Sequence, residues 1–192
     1  MEIKKNDTYC DYTTGELQGK NIKCSQKKLR ELLGIFEDME AFQNMNGDEI
    51  VYHVQMHDNG ADGKNGGLFF GTSFLHPGKV GNEFYMTKGH FHEKVETAEY
   101  YWCIEGHGYL ILQDEKGNCK VEEMSKGTIH YIPGGYAHRL VNVGETMLSV
   151  GACWPSDAGH DYKIANSFNL RIKEIQGKVV VEKIERGAIN EI

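Results

Sequence analysis

The chain has 192 residues, enough for one domain with modest extensions and too few for two full ones. Charged residues make up 26% and hydrophobic residues 40%, which excludes a disordered chain, and no apolar run of about 18 residues is present to span a membrane. Acidic residues outnumber basic ones 28 to 21, giving a net charge of −7 with no basic stripe, so nucleic acid is not an expected partner.

The N-terminal MEIKKNDTYCDY lacks the apolar core of a signal peptide, and the five cysteines are odd in number with no CxxC pair. Both features point to a reducing, cytoplasmic setting. Residues 1–27 are polar and read as an extended surface arm with turns at Thr14-Gly15 and Gln18-Gly19. Over 27–43, Leu29, Leu32, Leu33, Phe36 and Met39 recur at spacings of three and four, which predicts a helix with one buried stripe. From residue 49 the text becomes short runs rich in β-branched and aromatic residues, among them EIVYHVQM, GLFFGTSFL, AEYYWCI, GYLILQD and HRLVNV. Turns fall at 114–118, 125–127 and 133–135, and a last hairpin is expected around Gln176-Gly177-Lys178. Many short strands between glycine-containing turns indicate an all-β sandwich or barrel. The expected division is an arm and helix over 1–47, a barrel over 48–168 and a hairpin extension of the same domain over 169–192.

Chemistry concentrates in GHFHEKVETAEYYWCIEG, residues 89–106. His90 and His92 are two apart, so on a strand they face the same way and can share a metal. Glu99, Tyr101 and Cys103 follow at period two on a second strand, and His138 follows the turn in GTIHYIPGGYAHRLVN. Three imidazoles and a carboxylate form a mixed N/O set suited to one divalent transition metal per chain, Mn, Fe, Co, Ni or Zn.

The spacings H-x-H-x6-E-x6-G (His90, His92, Glu99, Gly106) and G-x5-P-x-G-x2-H-x3-N (Gly127, Pro133, Gly135, His138, Asn142) resemble the two motifs of the cupin superfamily. That resemblance implies a small antiparallel jelly-roll barrel, the double-stranded β-helix, holding a metal through His90, His92, Glu99 and His138. HPGKVGNEFYMTKGHFH (76–92) and WPSDAGHDY (154–162) extend the likeness to the cupin-type glucose-6-phosphate isomerases over nearly the whole chain. The chain departs from that family's pattern at Trp154, where a Tyr is frequent, and at Gly135-Tyr136, where Tyr-Trp is frequent.

The resemblance implies a phosphorylated hexose as substrate, exchanged between its aldose and ketose forms. Glu99 is the candidate base for moving a proton between C1 and C2; bound to a cation it is a weaker base, and a metal-assisted hydride shift is the competing route. Tyr101 either donates to a substrate oxygen or fills the barrel. His160 and Tyr162 are implied in ring opening or proton shuttling, and Ser73, Thr87 and the Gly89 N–H in holding the phosphate. A dioxygenase-type cupin and a non-catalytic sugar-binding cupin are the alternatives. Tyr100 and Trp102 alternate to the outer face of the Glu99 strand, a patch suited to burial in a homodimer.

Overall fold

The period-two segments pair as antiparallel strands in this computed structural model, which describes residues 2–184. An N-terminal hairpin of β1 (Thr8–Cys10) and β2 (Leu17–Gly19) leads to β3 (Ile22–Lys28), β4 (Ile50–His57) and β5 (Leu68–Leu75). The two-residue strands β6 (Lys79–Val80) and β7 (Glu83–Phe84) come next. The central run is β8 (Glu99–Glu105), β9 (His107–Asp114), β10 (Cys119–Ser125), β11 (Ile129–Ile132), β12 (Tyr136–Asn142) and β13 (Leu148–Pro155). A hairpin of β14 (Leu170–Ile175) and β15 (Lys178–Lys183) follows, turning through Gln176 and Gly177, both at positive φ. The rest of the expected C-terminal extension, residues 185–192, lies outside the described residues.

The largest sheet has the strand order β11-β8-β13-β5-β4-β3 and the sheet facing it β10-β9-β12, beside a four-stranded sheet β15-β14-β7-β6 and the β1-β2 hairpin. The chain changes sheet between β8 and β9, β10 and β11, β11 and β12, and β12 and β13, which is the double-stranded β-helix of a cupin barrel. Alternation decides what points inward. On β8, Glu99, Tyr101 and Cys103 are buried while Tyr100 is 51% exposed. Leu110 and Leu112 of β9, Leu140 of β12 and Val150 of β13 belong to one apolar core. Each such side chain contributes about 1.5–3 kcal/mol by leaving water.

The helix expected over 27–43 does not form as one piece. A 3-10 turn at Leu29–Leu32 ends before Gly34, which sits at φ 82°, and α1 (Met39–Asn44) starts separately at Asp38, whose carboxylate accepts from the Ala41 N–H at 2.8 Å. Between them, tertiary partners take the backbone groups that a helix would use internally. The Ile35 carbonyl accepts from Arg171 at 3.2 Å, and the Glu37 N–H donates to Glu83 at 2.9 Å. Leu29, Leu32 and Phe36 are buried as the spacing predicts, but Leu33 is 62% exposed. The N-terminal arm is extended as expected, with its β3 forming an edge of the larger sheet.

Glu83 is the hinge of this arrangement: its buried carboxylate bonds both the Glu37 N–H and Arg171, the latter at 2.5 Å. Removing it strands a partly buried guanidinium and a backbone donor. Glu83→Ala should therefore lower stability by about 3 kcal/mol, read as a shifted urea midpoint at unchanged m-value; a shift no larger than that of an exposed substitution such as Glu115→Ala would show the clasp to be idle.

Candidate active site

His90 and His92 do not lie on a strand. Residues 85–92 run as an irregular extended segment held by single bridges, Met86 to Val141, His90 to His138 and Phe91 to Asp161. Gly89 interrupts any ladder: it sits at φ 72°, and a Cβ there would be 2.6 Å from the Phe168 ring. The His90 N–H donates to the His138 carbonyl at 3.3 Å and the His138 N–H returns the bond at 3.0 Å. That exchange sets the two imidazoles side by side, with ring centres 4.3 Å apart.

The expected cluster assembles in full. A ligating atom from each of His90, His92, Glu99 and His138 lies within 4.8 Å of all the others. Glu99 Oε1 is 2.7 Å from His138 Nε2 and 3.4 Å from His92 Nε2. Close as they are, Glu99 Oε1 and both His138 nitrogens are buried without an aligned hydrogen bond. Buried imidazole nitrogens and a carboxylate oxygen converging on one point without aligned hydrogen bonds fit a metal ion, and the N3O donor set fits a divalent transition metal. His92 is oriented from behind: its Nδ1 lies 2.8 Å from Thr97 Oγ1 and 3.0 Å from the Thr97 carbonyl. Since the Thr97 hydroxyl donates to the Lys94 carbonyl, Nδ1 carries the proton and Nε2 offers its lone pair to the cluster.

Charge states follow from burial and neighbours. Burial, with His138 and His160 beside it, pushes the His90 imidazolium far down, so the ring is neutral. Burial alone would raise the Glu99 carboxyl, but His138 and His92 outweigh it and hold the group at about 2. His160 is lowered by burial first and by His92 second. Tyr101 is raised well above the ordinary phenol by burial, then by Glu99, and remains a proton donor.

The site residues expected from the sequence, except His92, which sits behind its wall, line one cavity of about 120 Å³, large beside the roughly 10–15 Å³ that one water needs. Glu99, Tyr101, His160 and Tyr162 stand on the side of the His/Glu cluster, with His160 and Tyr162 stacked at 5.8 Å and His160 4.4 Å from His90. Ser73, Thr87 and Gly89 share the same cavity. Lys88 lies over the Tyr162 ring, its Nζ 4.9 Å from the centroid. Tyr52 and Thr97 were not legible as site residues. Tyr52 lines the cavity and accepts from the Lys88 N–H at 3.5 Å, but a Tyr in an alternating strand reads as core. Of the two departures from the family pattern, Trp154 lines the cavity, whereas Tyr136 faces Lys120 and does not. The remaining histidines are structural or superficial, as with His130 between Glu122 and Thr128 and His107 against Glu123.

A jelly-roll barrel closing over three histidines and a glutamate defines a cupin with a cluster able to hold a metal. The sequence pattern of the glucose-6-phosphate isomerase (GPI) family matches residues 26–189, and the chain belongs to that family. It is 43% identical over 176 residues to the glucose-6-phosphate isomerase of Thermococcus litoralis, covering 90% of each chain. To that of Pyrococcus furiosus it is 41% identical, covering 89% of this chain and 90% of the relative. A bacterial relative, the glucose-6-phosphate isomerase of Sinorhizobium medicae, is 34% identical over 77% of this chain and 70% of its own. Among solved structures, the Lactobacillus farciminis oxalate decarboxylase formate complex superposes with a TM-score of 0.45 at 15% identity, over 58% of this chain and 30% of that one.

Proposed function

We propose that this chain interconverts D-glucose 6-phosphate and D-fructose 6-phosphate, serving glycolysis and gluconeogenesis in the cytoplasm, with one divalent transition metal, iron first, held by His90, His92, Glu99 and His138. The observation that carries this reading is the meeting, in one cavity of an isomerase-family chain, of His90, Glu99 and His138 from that cluster with Tyr101, His160 and the anion donors Ser73, Thr87 and Gly89. The five cysteines are free, in keeping with a reducing compartment, and no helix among the described residues is long and apolar enough to cross a membrane.

The division of labour follows from position. A divalent cation held by His90, His92, Glu99 and His138 would supply Lewis-acid stabilisation of negative charge developing on the substrate. The Ser73 and Thr87 hydroxyls and the Gly89 N–H bind the phosphoryl oxygens and so fix where the reacting carbons sit. A neutral His160 ring nitrogen takes the proton of the anomeric hydroxyl and returns it to the ring oxygen, opening the sugar. Tyr101, kept protonated, donates to a substrate oxygen. Glu99, as the carboxylate of the cavity, takes the proton from C2 and returns it to C1, while the hydroxyl proton on O2 passes to O1 and the carbonyl moves from C1 to C2. A second reading is direct transfer of hydride between C2 and C1, because a carboxylate that also ligates a cation is a weaker base than a free one.

Formation of glucose 6-phosphate from fructose 6-phosphate, followed through a coupled dehydrogenase, tests the reading. Turnover without oxygen uptake supports it; oxygen consumption with a small acid, or sugar binding without turnover, would replace it with one of the other cupin activities. Within the proposed pocket, Thr87→Ala should raise KM for the phosphorylated sugar about tenfold while the metal content stays at the parent level, since a hydrogen bond to a charged group is lost. Unchanged KM would remove Thr87 from the phosphate site.

The chain is also proposed to form a homodimer. Tyr100 and Tyr131 stand 5.2 Å apart on the outer face of β8 and β11, both about half exposed, beside Ile129 at 72%. Light scattering at micromolar concentration should give twice the chain mass of 21.7 kDa, and Tyr100→Asp should reduce it to one chain. A monomeric mass for the parent would contradict the assignment.

A further inference from the structure

We propose that Arg139 is the positioning residue of the phosphoryl subsite, an inference that rests on the reading that Thr87 and Gly89 hold the substrate phosphate. Arg139 follows His138 on β12, so its side chain leaves the opposite face of the strand from the cluster, and it is 4% exposed. Its Nη2 donates to the Lys88 carbonyl at 2.7 Å and also to the Ala165 carbonyl. The guanidinium lies 4.2 Å from the centre of the Phe168 ring, and its Nε has no partner.

What this guanidinium lacks is a counter-ion. No carboxylate lies within ion-pair distance of it among the described residues, and Glu83, whose field reaches it, is already paired with Arg171. A buried, unpaired charge is costly to a fold, and an incoming anion offsets that cost. The cavity side chains themselves include no lysine or arginine. Arg139 thus places a buried positive charge behind a neutral set of anion donors, whereas the Lys88 ammonium lies out over the Tyr162 ring.

Its second effect is geometric. The Lys88 carbonyl and the Gly89 N–H are opposite ends of one planar trans peptide, so they point in opposite directions. Anchoring the carbonyl on Arg139 turns the Gly89 N–H the other way, towards the cavity that Gly89 lines, and that N–H makes no hydrogen bond within the described residues. The charge-assisted bond also polarises the peptide and strengthens its N–H as a donor. Gly89 is held against the same Phe168 ring on which Arg139 lies. Through Ala165, the turn that follows Tyr162 shares this anchor, so both lips of the cavity are tied to one side chain.

The test is a titration of the zinc-loaded, 15N-labelled full chain with inorganic phosphate, run on the parent, Arg139→Met and Arg139→Lys, together with KM and kcat for fructose 6-phosphate. In the parent, the Gly89 amide resonance should move downfield with saturation. In Arg139→Met, phosphate should bind about tenfold or more weakly and KM should rise more than kcat falls. Arg139→Lys keeps the charge but reaches only one carbonyl, and should lose about threefold or more; it decides alone if the methionine variant does not fold. Phosphate affinity within twofold of the parent in a folded variant would overturn the role of Arg139. A parent Gly89 resonance that ignores phosphate would instead overturn the phosphate site itself.

Discussion

His92→Ala is expected to lose bound metal and isomerase turnover together, with kcat falling at least about a hundredfold, because each ligand supplies part of one coordination sphere. The same loss should follow chelation of the parent, and a divalent transition metal should restore the chelated parent but not the variant at equal concentration. A graded companion comes from Thr97, which holds His92 Nδ1 through both its hydroxyl and its carbonyl. Thr97→Val removes only the hydroxyl, so metal affinity should drop by about tenfold, at the low end for lost outer partners of a ligand, and excess metal should recover most of the rate. Metal analysis beside the coupled assay checks both. A metal-replete His92→Ala, or one that turns over without metal, would break the link between cluster and activity.

The second large effect is expected at Glu99. Glu99→Gln keeps the size and one oxygen donor while removing the basic carboxylate. If Glu99 moves the proton between C2 and C1, the metal-loaded variant should lose at least about a hundredfold in kcat, within the range ascribed to general acid–base catalysis. Glucose 6-phosphate made by the parent in heavy water should then carry deuterium at C2. Direct hydride transfer predicts the opposite pair of results, a modest loss explained by metal affinity and no label at C2. Metal content must be matched before the rates are compared, since Glu99 Oε1 is also the atom on which His138 and His92 converge.

The barrel and the clustering of His90, His92, Glu99 and His138 were legible in the sequence because both rest on short-range rules. Period-two alternation puts Glu99 and Tyr101 on one face of β8, and glycine-marked turns fix the hairpins that bring His138 opposite them. What escaped depends on contacts distant in sequence. The stripe from Leu29 to Met39 has helical spacing, yet Glu83 and Arg171 capture the backbone at residues 35 and 37 and leave two short pieces. His90 and His92 share a face as their spacing suggests, although they reach it from an irregular segment bent by Gly89 rather than from a strand. Tyr52 and Thr97 carry no spacing that sets them apart from core and turn residues, and only the closed barrel places them beside the cluster. Trp154 and Tyr136 looked equivalent as departures in the sequence; the register of β12 and β13 separates them, turning one into the cavity and the other towards Lys120.

The most direct measurement is a metal titration of the chelated parent, with fructose 6-phosphate turnover recorded against metal bound per chain. Turnover should start near zero, rise in proportion to bound metal and level off at one equivalent. Full turnover in protein stripped of metal, or a metal-loaded protein that leaves fructose 6-phosphate unchanged, would contradict a metal-dependent isomerase built on His90, His92, Glu99 and His138.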